Sequence, residues 1–237
     1  IAIVGPTAVG KSGLALALAR RFDGEIVNGD SRQVYRHMDI GTAKPSPDER
    51  GLIPHHLVDI VDPDEPYNLA LYLTQARQAI EDIQGRGRLP LLVGGTGQYV
   101  WGVLQGFHAP QVPPNPSLRA LLEAQAEKEG KEALWRRLQE VDSTAAGRIY
   151  YQNVRRVIRA LEVYCETGIP FSQAQWRETP PYRSLVIGLT LERPSLYEYI
   201  DRRVEAMVQK GWPREVARLL EKGYSAELSS MSSLGYR

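Results

Sequence analysis

Apolar and polar positions along the chain follow two rhythms: short solid apolar runs, and longer stretches with apolar residues every three to four positions. Ile1 to Val4 is a solid run and reads as a buried strand. Leu14, Leu16 and Leu18 follow in a helix over Lys11 to Phe22. Glu25-Ile26-Val27-Asn28 is short and β-branched, a second strand. His55-His56, then Leu57-Val58-Asp59-Ile60, read as a loop entering a short strand. Asn68 to Gly85 sets Leu69, Tyr72, Leu73, Ala76, Ala79, Ile80 and Ile83 at helical intervals, an amphipathic helix lying on a sheet. Gly85-Arg86-Gly87-Arg88 ends it, and Leu89 to Val93 reads as a buried parallel strand. Pro110, Pro113, Pro114 and Pro116 make a semi-rigid linker, after which the pattern stays helical until Thr179-Pro180-Pro181. Leu185 to Leu191 returns as a strand, and Ser195 to Gly223 gives two helices broken near Gly211-Trp212-Pro213.

The turn after the first strand carries the clearest chemistry. Gly5-Pro6-Thr7-Ala8-Val9-Gly10-Lys11-Ser12 is a P-loop set between a strand and a helix. Its glycines let backbone N–H groups converge on an anion, and the helix N-terminus adds positive potential. Lys11 can neutralise phosphate oxygens, and the Ser12 hydroxyl can ligate Mg²⁺. The fold class expected is α/β, a P-loop NTPase-like parallel sheet flanked by helices, with an inserted all-helical domain. The core would be 1–109 and 183–237, and the insert 110–182.

Asp30 follows the second strand, where ligands of open α/β sheets gather, and has three readings: a structural cap, a metal ligand or a general base. Lys44, in the loop Gly41-Thr42-Ala43-Lys44-Pro45, either reaches a phosphate or stands in solvent. Leu89 to Val93 ends in Gly94-Gly95-Thr96-Gly97, where an ordinary NTPase would place an acid. Arg193 ends a strand and can point into the site. His37, His55, His56 and His108 have no zinc spacing and read as structural or hydrogen-bonding residues.

Composition narrows the class. With 43% hydrophobic and 24% charged residues the chain reads as soluble and globular, and no apolar run approaches membrane-spanning length. The chain opens without Met, so a few initial residues are expected to precede it. One cysteine, Cys165, excludes an internal disulfide and suits a reducing cytosol; its place on a helix's apolar side predicts inert packing. The net charge of +1 names no partner, but its distribution is informative. Residues 143 to 161 hold Arg148, Arg155, Arg156 and Arg159 and no acid. A helical wheel puts Val154, Val157, Ile158, Leu161 and Cys165 on one face, and Arg155, Arg156 and Arg159 on the other. Beside Tyr150 and Tyr151 that face is either a solvated surface or a nucleic-acid phosphate footprint, and Arg119 is ambiguous in the same way.

The P-loop, Asp30-Ser31-Arg32-Gln33-Val34-Tyr35, Gly41 to Pro45, His55-His56-Leu57-Val58-Asp59, Gly94 to Gly97, and Asn153 through Arg159 to Glu162 occur in one order. Together they closely resemble the bacterial tRNA dimethylallyltransferases, also called tRNA isopentenyltransferases, over essentially the whole chain. The resemblance implies Mg²⁺-dependent transfer of a dimethylallyl group from dimethylallyl diphosphate to N6 of the adenine 3′ of a tRNA anticodon. It implies Asp30 as general base, Thr96 at the reaction centre, and Gly5 to Ser12 with Arg193 on the diphosphate. It matches Asp30, Ser31, Arg32, Gln33, Thr96, Arg119, Arg155, Arg156, Arg159 and the segment from Ser232 through Gly235 and Tyr236 to Arg237 with contacts to the tRNA anticodon stem-loop. A cytoplasmic monomer without membrane contact is expected. Gln98 stands where the family has leucine, and Tyr199 where some members carry a second arginine. Members also continue past the position of Arg237, with further helices. Competing readings are a P-loop small-molecule kinase using ATP, with the insert as an arginine-bearing lid, and a non-catalytic RNA-binding protein with a nucleotide switch.

Overall fold

The structure, a computed structural model, describes residues 1–179 and 182–236. In chain order come β1 (Ala2–Val4), α1 (Lys11–Arg21), β2 (Gly24–Asn28), α2 (Pro47–Leu52), β3 (His55–His56), α3 (Leu69–Gly85), β4 (Leu89–Val93) and α4 (Gly97–Leu104). Then follow β5 (Phe107–His108), α5 (Pro116–Glu129), α6 (Lys131–Val141), α7 (Ser143–Ala146), α8 (Val154–Thr167), α9 (Phe171–Ala174) and β6 (Trp176–Arg177). β7 (Val186–Gly188), α10 (Arg193–Gln209), α11 (Trp212–Glu221) and a 3₁₀ turn at Ser230–Ser232 complete the described chain. Contacts divide it into two compact units, Ile1–Gln105 with Pro180–Arg237, and Gly106–Thr179.

The first unit is built on a sheet of order β3-β2-β4-β1-β7, every pair parallel. Side chains alternate across such a sheet, so Ile3, Ile26 and Leu91 share one face. They pack there against Ala15 and Ala19 of α1. Two alanines four residues apart leave α1 a flat stripe that can lie close to the strands. The other face meets α3, which contacts β2 and β4 and carries buried Tyr72, Leu73, Ala76 and Ile80. Asn68 starts α3 as expected of a cap, its side chain accepting from Leu71 N. Pro90 is tolerated inside β4 because β1 pairs alongside only from Leu92 onward. The carbonyl of Pro90 still accepts from the amino terminus of Ile1 at 3.0 Å.

Several local expectations change. His55 and His56 themselves form β3, whereas Leu57 (φ 62°) and Asp59 (φ 57°) turn the chain, so no strand follows at 57–60. The returning strand spans only Val186–Gly188. Cys165 is exposed, not packed: it shares the face of Ile158 and Leu161, but the buried part of α8 ends at Val163 and Cys165 falls in the last turn beyond it. The end of the helical segment at Pro180-Pro181 lies outside the described residues.

The second unit has its own core, with Leu122, Leu134, Leu138, Val157, Ile158 and Leu161 all at most 3% exposed. It is helical apart from one antiparallel ribbon, β5 with β6, in which Phe107 faces Arg177 and His108 faces Trp176. The His108 and Trp176 rings stack at 3.7 Å. Two residues per strand give too little periodicity for a pattern to reveal them.

Candidate active site

The P-loop curls between β1 and α1 through Gly5 (φ 148°), Ala8 (φ 66°) and Gly10 (φ 98°). A Cβ on Gly5 would lie 2.6 Å from the Leu189 carbonyl oxygen, so the loop closes only with glycine there. Lys11 Nζ donates to the carbonyls of Gly5 at 2.9 Å and Pro6 at 2.7 Å. Thr7, Ala8, Gly10, Lys11 and Ser12 line a cavity of about 270 Å³, while Val9 packs against Gly5. Across the cavity stand Asn28, Asp30, Gln33 and Arg203. Burial pulls the Lys11 ammonium below its ordinary value, nearby Arg203 adds to this, and Asp30 opposes it. Arg203 is likewise lowered by burial and supported by Asp30. Two cations half out of water beside one carboxylate are a ready receptor for a polyphosphate.

Asp30 is held from both sides of its own peptide. Its N–H donates to Asn28 Oδ1 at 2.9 Å, and its carbonyl accepts from Asn28 Nδ2 at 3.0 Å. Asn28 is 3% exposed and also donates to the Leu57 carbonyl. Asp30 Oδ1 accepts from Arg32 N at 2.8 Å. The ends of β2 and β4 meet at two glycines: a Cβ on Gly94 would lie 2.1 Å from the Gly29 carbonyl oxygen. That approach lets Thr96 Oγ1 accept from Ser31 N at 3.0 Å. Thr96 is thereby tied to the residue after Asp30, but it does not line the cavity.

Other candidates part company. Arg193, the first residue of α10, is exposed and does not line the cavity; Arg203, to which the sequence pattern drew no attention, does line it. Tyr199, on the same helix, is 50% exposed. Lys44 neither reaches the cavity nor stands in solvent: its side chain is 2% exposed and bonds the Tyr35 carbonyl, Asp39 and Asp59. His55 lines the cavity wall. Its Nδ1 meets the Ile53 carbonyl at 2.7 Å, which makes Nδ1 the protonated nitrogen and leaves Nε2 as an acceptor. Burial lowers its pKa, which keeps the ring neutral. No cluster of three or more His, Cys, Asp or Glu able to hold a metal occurs among the described residues. Ser12, exposed at the start of α1, and Asp30 offer oxygen donors only, a set that fits a hard divalent cation completed by phosphate oxygens.

A family model described as IPP transferase matches residues 33–237. The chain belongs to the IPP transferase family. The P-loop precedes the matched span, but whole-chain relatives include it. The tRNA dimethylallyltransferase of Roseiflexus castenholzii is 62% identical over 237 residues, all of this chain and 78% of the relative. That of Chloroflexus aurantiacus is 57% identical over 236 residues, all of this chain and 80% of the relative. A Bacillus halodurans tRNA isopentenylpyrophosphate transferase structure is 44% identical, with TM-score 0.68 over 99% of this chain and 74% of its own. A eukaryotic dimethylallyltransferase structure reaches TM-score 0.80 at 32% identity, over 96% of this chain and 57% of its own. IPP transferase membership gives no support to the kinase reading, and β4 carries no acid at its end.

The RNA-contact candidates of this IPP transferase chain divide into committed and open side chains. Arg119 Nε and Nη2 bond Glu162 at 2.7 and 2.8 Å, and Arg159 Nη1 bonds it at 2.5 Å. Arg159 also donates to the carbonyls of Pro110 and Val112. Glu162 is fully buried; although burial alone would raise its pKa, these arginines and the Asn115 N–H hold it down at about 2. Arg119 and Arg159 therefore shape the Gly106–Thr179 unit, and Arg159 leaves the open face expected of it. Arg155 and Arg156 remain exposed. In the first unit Arg32 bonds the carbonyls of Ser229 and Ser230 and Ser232 Oγ. Gln33 Nε2 is spent on the carbonyls of Thr42 and Ala43. Gly235 lies against Trp212 but is itself exposed, whereas Tyr236, 2% exposed, bonds Glu215 and so holds the fold rather than offering a surface. Arg237 lies outside the described residues. No described helix is long and apolar enough to cross a membrane.

Proposed function

We propose that the chain transfers a dimethylallyl group from dimethylallyl diphosphate to N6 of the adenine 3′ of the anticodon in tRNA. The observation that carries this reading is the meeting of Lys11, Ser12, Arg203 and Asp30 on one cavity. Adenine N6 is a weak nucleophile because its lone pair is delocalised into the ring. In the proposed step the N6–C1 bond forms as the C1–O bond breaks, and the electron pair leaves on the diphosphate. The N6 proton passes to Asp30, whose Oδ1 is braced by Arg32 N. The P-loop amides, Lys11 and Arg203 stabilise charge where it grows, on the departing diphosphate. Ser12, with Asp30 near, would hold Mg²⁺, which when bound draws charge from the diphosphate oxygens. The target base has to leave its stack to reach such a cavity. The Gly106–Thr179 unit supplies RNA contacts through Arg155 and Arg156. Every group invoked comes from one chain, so a monomer suffices, and a tRNA substrate implies a cytosolic setting.

The test is incubation with tRNA and labelled dimethylallyl diphosphate, followed by mass analysis of anticodon-loop nucleosides. One adenosine should gain the mass of a dimethylallyl group as diphosphate is released. Asp30→Asn should lower turnover roughly 10²- to 10⁴-fold with tRNA affinity retained. Undiminished turnover in that variant would remove Asp30 from the role of base.

A further inference from the structure

Tyr150 and Tyr151 stand side by side in the turn between α7 and α8, ring centroids 4.8 Å apart and planes at 67°. Tyr150 is 63% exposed. A turn that only joins two helices needs no aromatic ring in water. The turn is fixed: Asn153 N donates to the Tyr150 carbonyl at 2.8 Å, and the Asn153 side chain caps α8 by accepting from Arg156 N. Ile149 behind it is buried, and its carbonyl accepts from Trp135 Nε1 at 2.8 Å. Gln152 Nε2 donates to the Tyr151 hydroxyl, which steadies the second ring. The exposed ring therefore sits on a rigid base.

In the sequence that flanks the pair, the open charges have one sign. Arg148, Arg155 and Arg156 are exposed, and none of their side chains forms an ion pair among the described residues. The acids that bracket this stretch in sequence are consumed internally. Asp142 caps α7 and accepts from Ser172 N and Oγ, and Glu162 is clasped by Arg119 and Arg159. Flat apolar rings among unpaired guanidiniums match a ligand with π faces linked by phosphates. A nucleobase in single-stranded RNA is such a ligand, whereas a duplex buries its base faces.

We propose that the Tyr150–Tyr151 pair is a stacking platform for an unpaired base of the anticodon loop, with Arg148, Arg155 and Arg156 on the flanking phosphates. This rests on the reading of tRNA as the acceptor. The test measures binding of a fluorescent anticodon stem-loop RNA across salt concentrations by wild type and by Tyr150→Ala, Tyr150→Phe and Arg155→Ala/Arg156→Ala variants. Tyr150→Ala should weaken binding about tenfold or more without changing the salt slope, and Tyr150→Phe should stay near wild type. The arginine pair should lower the logarithmic salt slope by about 1 to 2. A 2-aminopurine at the stacked loop position should be quenched by wild type and not by Tyr150→Ala, and circular dichroism should show both folded. Equal affinity of wild type and Tyr150→Ala for the loop overturns the platform, and so does an equal loss on fully paired RNA. If wild type still prenylates tRNA in either case, the transferase reading stands. Absence of any RNA binding by wild type removes both.

Discussion

Asn28 positions Asp30 for the base role proposed for it. A carboxylate at a strand end is ordinarily free to swing, yet both peptide groups of Asp30 are pinned by one buried amide. Asn28→Ala should therefore lower kcat about tenfold or more while moving KM for the diphosphate little. Adding Asn28→Ala to Asp30→Asn should cost almost nothing more, because the group being positioned is already lost. Full additivity in that double variant would make Asn28 a packing residue only. Glu162 shows the same logic applied to stability. Its folded pKa, about 2, lies below the ordinary value of 4.5, so its contribution is complete above pH 4.5 and fades as pH falls toward 2. The Gly106–Thr179 unit should lose on the order of 2 kcal/mol over that window, read by denaturant melts. Glu162→Gln should be less stable at neutral pH and flatter across the window, since it leaves two arginines short of a carboxylate.

Element by element, legibility in the sequence follows the length of the signal. α1, α3, β2 and β4 have enough periodic positions to be read directly, and the P-loop is a contiguous motif whose shape needs its glycines. β3 was missed as a strand of two histidines because one parallel partner, β2, is all that orders it. Arg203 had a weaker but readable signal. Leu196, Ile200, Arg203 and Met207 are among the less exposed positions of α10, spaced four, three and four apart, so an arginine interrupts an otherwise apolar stripe. Arg193 continues the same face one turn earlier, but at the open first turn of α10 it is exposed and does not line the cavity. Arg203→Ala should thus reduce kcat/KM for dimethylallyl diphosphate roughly 10²-fold, and Arg193→Ala should change it far less. A steady-state comparison of the two variants decides between them; the reverse order would mean that α10 turns its first residue toward bound donor. The burial of Lys44 could not be read at all, because its partners Asp39 and Asp59 come together only through the left-handed turns at Ala43 and Asp59.

At the scale of the whole molecule the chain leaves one compact unit, builds another and returns. The second unit closes on itself: β5 and β6 pair, and Glu178 N donates to the Gly106 carbonyl at 3.0 Å, so its entry and exit strands are neighbours. Gly106 is required at that crossing, since its φ is +62° and a Cβ would press on Glu178. A unit with adjacent ends and a contiguous core satisfies the conditions for independent folding, although domains this small are marginal. Residues 106–179 expressed alone should melt cooperatively and give dispersed amide resonances. A short Gly-Ser linker replacing that segment should leave a chain that still binds dimethylallyl diphosphate by calorimetry but has lost most of its RNA affinity. The cavity of Lys11, Asp30 and Arg203 draws only on the first unit, and the open arginines Arg155 and Arg156 only on the second. If the shortened chain kept full RNA affinity, RNA recognition would have to reside on the first unit, through Arg32 and its partners near Ser230.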